Sequence, residues 1–103
     1  MEKKDLLKDT IKHIDIKSYD STQLIDAMRD MSFTSRDTAR ATDILMMMVG
    51  EKECTNILTI AGSTSAAGCM QVYVDMVRNK MVDVVVSTGA SIIDMDLFEA
   101  LGY

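Results

Sequence analysis

Two short runs of small residues are the places where this sequence could do chemistry: Gly62-Ser63-Thr64-Ser65 and Ser87-Thr88-Gly89. Glycine allows a ligand close to the backbone and the hydroxyls add hydrogen-bonding groups, so these runs could hold a nucleotide's phosphates or ribose hydroxyls. Neither the G-x-G-x-x-G fingerprint nor the G-x-x-x-x-G-K-[ST] loop is present, and a pair of tight, internally satisfied turns accounts for the same residues. Just beyond the second run lie Asp94, Asp96 and Glu99. Such carboxylates could bind the ammonium groups of a cationic substrate, or they could be ordinary favourable charge at a helix start. His13 has no cysteine or acid placed to make a triad and is expected at the surface. Cys54 and Cys69, with no C-x-x-C spacing, support neither a metal site nor a disulfide framework and are expected to be buried thiols.

The elements that position these runs follow from periodicity. Leu6, Leu7, Ile11 and Ile14 recur at near-helical spacing between Asp5 and Ile16, and Leu24, Ile25 and Met28 mark a second helix capped by Ser21 or Thr22. Thr34 and Asp37 approximate a capping box, opening a helix with the apolar stripe Ala41, Ile44, Leu45 and Met48 and a stop at Gly50. Its run Met46-Met47-Met48 is a soft binding surface or, more simply, core or subunit packing. Thr55 to Ala61 then reads as a strand, Gly62 to Gly68 as a loop, and Met70, Tyr73, Val74 and Val77 as one face of a helix closing at Arg78-Asn79-Lys80. Met81 to Val86 reads as a second strand, nearly continuous in apolar residues as in sheets covered on both faces. Ser87 to Ser91 reads as its loop, and Leu97, Phe98 and Leu101 as a last helical stretch. The second half is thus a β-α-β-α unit, expected to be parallel with a right-handed crossover.

The 103 residues allow one small α/β domain, and the hydrophobic fraction of 48% is that of a folding chain rather than a disordered one. A two-stranded parallel sheet cannot close a core, so this chain reads as the N-terminal part of a larger parallel-sheet protein, or as a unit completed by other subunits. The net charge of −5 is the wrong sign for nucleic acid, and up to Gly50 the balance is nine acidic to eight basic residues, against seven to three thereafter. A cationic ligand suits the second half better. With no run of roughly 18 apolar residues and no apolar stretch at the N-terminus, neither a membrane span nor a secretory signal is expected, and the location is expected to be cytoplasmic.

From Leu58 onward the sequence resembles deoxyhypusine synthase and its bacterial deoxyhypusine synthase-like and homospermidine synthase relatives. The segments that carry the resemblance are Leu58-Thr59-Ile60-Ala61-Gly62-Ser63-Thr64-Ser65-Ala66-Ala67-Gly68 and Met81-Val82-Asp83-Val84-Val85-Val86-Ser87-Thr88-Gly89-Ala90. Val74-Asp75-Met76-Val77-Arg78 between them is similar to the crossover helix, and Ser32-Phe33-Thr34-Ser35 with Ala39-Arg40-Ala41 is similar to the lead-in helix. The resemblance implies a Rossmann-like NAD-binding fold, incomplete in this chain, with residues 1–20 as an amphipathic segment and 21–103 as the truncated N-terminal part of the NAD-binding domain.

The implied reaction is NAD-dependent transfer of the aminobutyl group of spermidine, with loss of 1,3-diaminopropane, to an acceptor amine. That amine is a lysine of translation initiation factor 5A or putrescine, and the implied assembly is a homotetramer. By position, Gly62, Ser63, Thr64 and Ser65 and then Thr88, Gly89 and Ala90 are implied to hold NAD. Asp94 is implied to contact both NAD and polyamine, and Asp96 polyamine. Ser63 stands where asparagine is usual, and Ile92-Ile93-Asp94-Met95-Asp96 replaces consecutive glutamates, which draws the chain toward the bacterial branch and a small-amine acceptor. The family's catalytic lysine lies further downstream. None of Lys3, Lys4, Lys8, Lys12, Lys17, Lys52 or Lys80 stands in its context, so the chain alone is expected to be inactive. The alternative is a non-catalytic chain that acts as an interaction module with full-length subunits.

Overall fold

The computed structural model describes residues 12–92, 97 and 100–102, which form two compact units. One runs from Ile16 to Asn56; the other joins the described residues up to Asp15 to those from Ile57 onward.

The first unit is a helical pair, α1 (Thr22–Met28) and α2 (Phe33–Gly50), preceded by a 3₁₀ turn at Ile16–Ser18. That turn and the irregular residues 12–15 replace the end of the expected first helix, whose residues 5–11 lie outside those described. Neither expected cap forms. Asp20 Oδ1, rather than Ser21, accepts the Thr22 N–H at 2.9 Å. Ser32 precedes α2 without a side-chain cap, Phe33 takes a left-handed φ of 53°, and Thr34 lies inside the helix, its carbonyl accepting the Thr38 hydroxyl at 2.8 Å. The inward stripe of α2 is also rotated from the expected one. Ala39 is fully buried, with Thr42, Leu45, Met48 and Val49 half-buried, so Leu45 and Met48 of the expected stripe face inward whereas Ala41 and Ile44 are exposed.

The helices are joined by a fork: Arg29 Nε donates to Asp43 Oδ2 at 3.2 Å and Nη2 to Oδ1 at 2.6 Å, while Nη1 binds Asp26. The Arg29 hydrogen bonds hold the Asp43 carboxyl below the usual range, and those from Thr22 do the same for Asp20. A lowered folded pKa contributes stability that is present above the unfolded value and lost as pH falls through the folded one. Helix content is therefore expected to decline on acidification below about pH 4, less steeply for Asp43→Asn. A circular-dichroism titration reads this, and identical acid limbs would refute the role of the fork.

The second unit is the β-α-β-α segment. β1 (Ile57–Ile60) and β2 (Val84–Ser87) pair in parallel, Ile57 opposite Val84 and Ile60 opposite Ser87. Between them stand a π-turn at Ser65–Cys69 and α3 (Met70–Arg78); α4 (Gly89–Ile92) follows β2. Both strands are shorter than expected, and Ser87 belongs to β2, so the second loop shrinks to Thr88 before α4. On one sheet face Leu58, Ile60 and Ser87 are half-buried; on the other Ile57, Thr59, Val84 and Val86 are exposed. The valine run expected to be covered on both faces is thus open. Cys54, Cys69 and His13 are half-buried, neither the buried thiols nor the surface imidazole expected. Among the described residues no helix is long and apolar enough to cross a membrane.

Candidate functional site

A parallel pair brings the carboxyl ends of both strands, and the loops that leave them, to the same edge of the sheet. Here Ile60 of β1 lies opposite Ser87 of β2, so Gly62 and Thr88 start side by side; the Thr88 N–H donates to the Ile60 carbonyl at 3.2 Å.

Hydroxyl bonds then tie the loops together. The Ser91 hydroxyl donates to the Gly62 carbonyl, and the Ser65 hydroxyl donates to the Ser91 carbonyl at 3.3 Å. Ser65 and Ser91 are 2% and 3% exposed, so the bond between them is shielded from water, where leaving a polar group unmet is costly, while the Ser91–Gly62 bond is partly buried. The Ser91 N–H closes the turn on the Thr88 carbonyl at 3.1 Å. From α3, the Tyr73 hydroxyl donates to Thr64 Oγ1 at 2.7 Å. The π-turn is held by Ala67 N–H to the Ser63 carbonyl at 3.2 Å and Cys69 N–H to the Thr64 carbonyl at 3.1 Å.

What remains outward is a backbone ledge. Gly62, Ser63, Thr88 and Gly89 are exposed, and a Cβ built on Gly62 or Gly89 meets no heavy atom within 4 Å. Gly62 has φ +80°, a conformation that favours glycine. Thr64 and Ala90 are half-buried at the margins, while Ser65 is turned inward into the serine pair. Open glycines beside exposed hydroxyls leave the backbone accessible to a ligand along this edge. Asp94 and Asp96 lie outside the described residues. Sequence reasoning missed Tyr73 and Ser91 as site residues; Tyr73 was placed in its helix, whereas Ser91, expected in the loop, lies in α4, and a hydroxyl bonded across nine or twenty-nine positions leaves no periodic trace.

A cavity of about 350 Å³ lies between α3 and the sheet and adjoins the tied loops, lined by Ile60, Tyr73, Val74, Val77, Val85 and Ser91 among others. Its walls are largely aliphatic and suit an apolar covering element better than phosphates. Among the described residues no group of three His, Cys, Asp or Glu could hold a metal ion.

The family model for deoxyhypusine synthase matches residues 23–103. A deoxyhypusine synthase-like protein of Caulobacter vibrioides is 60% identical over 102 residues, which is 99% of this chain and 28% of the relative. One of Coxiella burnetii is 57% identical over 101 residues, 98% of this chain and 29% of the relative. The Methanosarcina acetivorans protein named "Probable deoxyhypusine synthase 2" is 34% identical over 89 residues, 86% of this chain and 26% of the relative. The chain thus spans less than a third of the length of these curated relatives, and no solved structure is a significant match to it. By the family model and by relatives along nearly its whole length, the chain belongs to the deoxyhypusine synthase family.

Proposed function

We propose that this chain supplies the first NAD-holding part of an enzyme that moves the aminobutyl group of spermidine to an acceptor amine. In this reading residues 21–103 are the start of a Rossmann-like NAD-binding domain and residues 1–20 lead into it. The observation that carries the reading is the ledge: two small-residue loops at the carboxyl ends of adjacent parallel strands, tied together by Ser91 and leaving Gly62 and Gly89 open. Membership of the family supports the choice of NAD and spermidine.

Bound there, NAD would supply a hydride acceptor. Gly62, Ser63 and Thr64 would line one part of it and Thr88, Gly89 and Ala90 the other, with Ser65 acting from beneath through Ser91. Asp94 would face both cofactor and polyamine, and Asp96 the polyamine ammonium groups. A small-amine acceptor, a cytoplasmic setting and a homotetramer complete the reading.

The test is made on the intact gene product. NAD-dependent consumption of spermidine with release of 1,3-diaminopropane is expected, and none from the 103-residue chain alone. An intact product that neither binds NAD nor consumes spermidine would overturn the reading.

A second reading is favoured by a different observation. Met46 and Met47 on α2 are 64% and 65% exposed, and Ile57 on the sheet is 57% exposed. Apolar surface of this kind marks an interaction module that binds longer subunits. A native product of 11.4 kDa that co-purifies with a full-length homologue would support it; a monomeric, soluble 11.4 kDa product would count against it.

A further inference from the structure

The serine pair does more than close two turns. A trans peptide is planar, with its carbonyl and N–H on opposite sides, so a group that captures the carbonyl also aims the N–H. No described peptide is cis, and the Gly62 carbonyl is captured by the Ser91 hydroxyl. The next N–H, that of Ser63, therefore faces away from Ser91, toward the exposed ledge, and among the described residues it donates to no backbone carbonyl outside the helices and strands. Ser91 is itself held twice, by its own N–H on the Thr88 carbonyl and by the Ser65 hydroxyl on its carbonyl. A residue so fixed, 3% exposed and with its hydroxyl committed to the Gly62 carbonyl, acts on the exposed ledge through the peptide it holds, its other side lining the cavity beside α3.

We infer that Ser91, backed by Ser65, is a positioning residue that sets the Gly62–Ser63 peptide so that the Ser63 N–H is presented to the cofactor. This rests on the NAD reading above. It also couples the loops: whatever moves Thr88 moves Ser91, and through it the donor at Ser63. Glycine at 62 suits the arrangement because its φ of +80° is one that other residues adopt with strain.

The experiment is a calorimetric titration of NAD into the intact gene product, with thermal melting of each variant alongside. Ser91→Ala is expected to weaken NAD about tenfold, the scale of one partly buried hydrogen bond. Ser91→Thr, which keeps the hydroxyl, is expected to restore binding to within about threefold. Equal binding by Ser91→Ala and wild type would overturn the inference and leave the NAD reading standing, as would Ser91→Thr binding as weakly as Ser91→Ala, since volume alone would then matter. Failure of the wild type to bind NAD would overturn both. Should Ser91→Ala not fold, Ser65→Ala takes its place: binding about threefold weaker supports the inference, and unchanged binding refutes it.

Discussion

Gly89→Val is expected to weaken NAD binding by the intact gene product about a hundredfold, equivalent to about 2.7 kcal/mol, while leaving its melting temperature nearly unchanged. The separation of the two effects comes from where Gly89 stands. It opens α4 immediately after Thr88, is exposed, and has no heavy atom within 4 Å of the position its Cβ would take. The added Cβ therefore enters open space, and the cost is expected to fall on whatever must approach that backbone. Gly62 is a poorer test because its φ of +80° would strain any replacement and mix folding with binding. Calorimetric titration with NAD, paired with a melting curve, reads both quantities. Unchanged affinity would place Gly89 away from the cofactor and remove the second loop from the proposed site.

How much of this was legible in the sequence depends on the kind of interaction. The two strands and α3 were, because Ile57-Leu58-Thr59-Ile60 and Val84-Val85-Val86 are β-branched runs and Met70, Tyr73, Val74 and Val77 repeat at helical spacing. Strand ends were not, because pairing rather than composition sets them. Thr55, Asn56 and Ala61 on one side and Met81, Val82 and Asp83 on the other have β-compatible neighbours, yet the register begins at Ile57 with Val84 and closes at Ile60 with Ser87. The α2 stripe was misjudged in part: Leu45 and Met48 are half-buried as expected, but Ala41 and Ile44 are exposed and the one fully buried position is the small Ala39.

The site was half legible. Small residues at the ends of two parallel strands are a local pattern, and the structure sets those ends side by side. The serine pair is not local: Ser65 and Ser91 are 26 positions apart, and a buried hydroxyl reads in sequence like any loop serine. The exposed valines of β2 are a third case. Their composition pointed to cover on both faces, and the described residues leave Val84 and Val86 42% and 54% exposed. The run is thus apolar yet exposed among the described residues, in a chain that spans less than a third of its curated relatives.

Gly68→Ala is expected to destabilise the second unit locally by about 2 kcal/mol. Gly68 is buried inside the π-turn that leads from the first loop into α3, with φ +92° among residues otherwise helical. An alanine there pays the left-handed backbone cost, and its Cβ would also sit 3.1 Å from the Lys12 carbonyl, tighter than ordinary contact. Relief by shifting is restricted, because the Ile14 N–H donates to the Gly68 carbonyl at 2.9 Å and ties the two segments together. The expected readout is amide exchange in the intact gene product, with the Ile14 amide exchanging about thirtyfold faster, the equivalent of that free energy. Gly50→Ala is the control. Gly50 ends α2 with open space where its Cβ would be, so alanine there is neutral or stabilising by up to about 1 kcal/mol. If both substitutions slow or spare exchange alike, neither the positive φ nor the Lys12 contact constrains Gly68, and the first loop is free to move independently of α3. If only Gly68→Ala opens the Ile14 amide, the residue that ends the first loop also anchors the segment before Ile16. The proposed cofactor ledge then rests on a fixed support on the β1 side as well as on the Ser91 side.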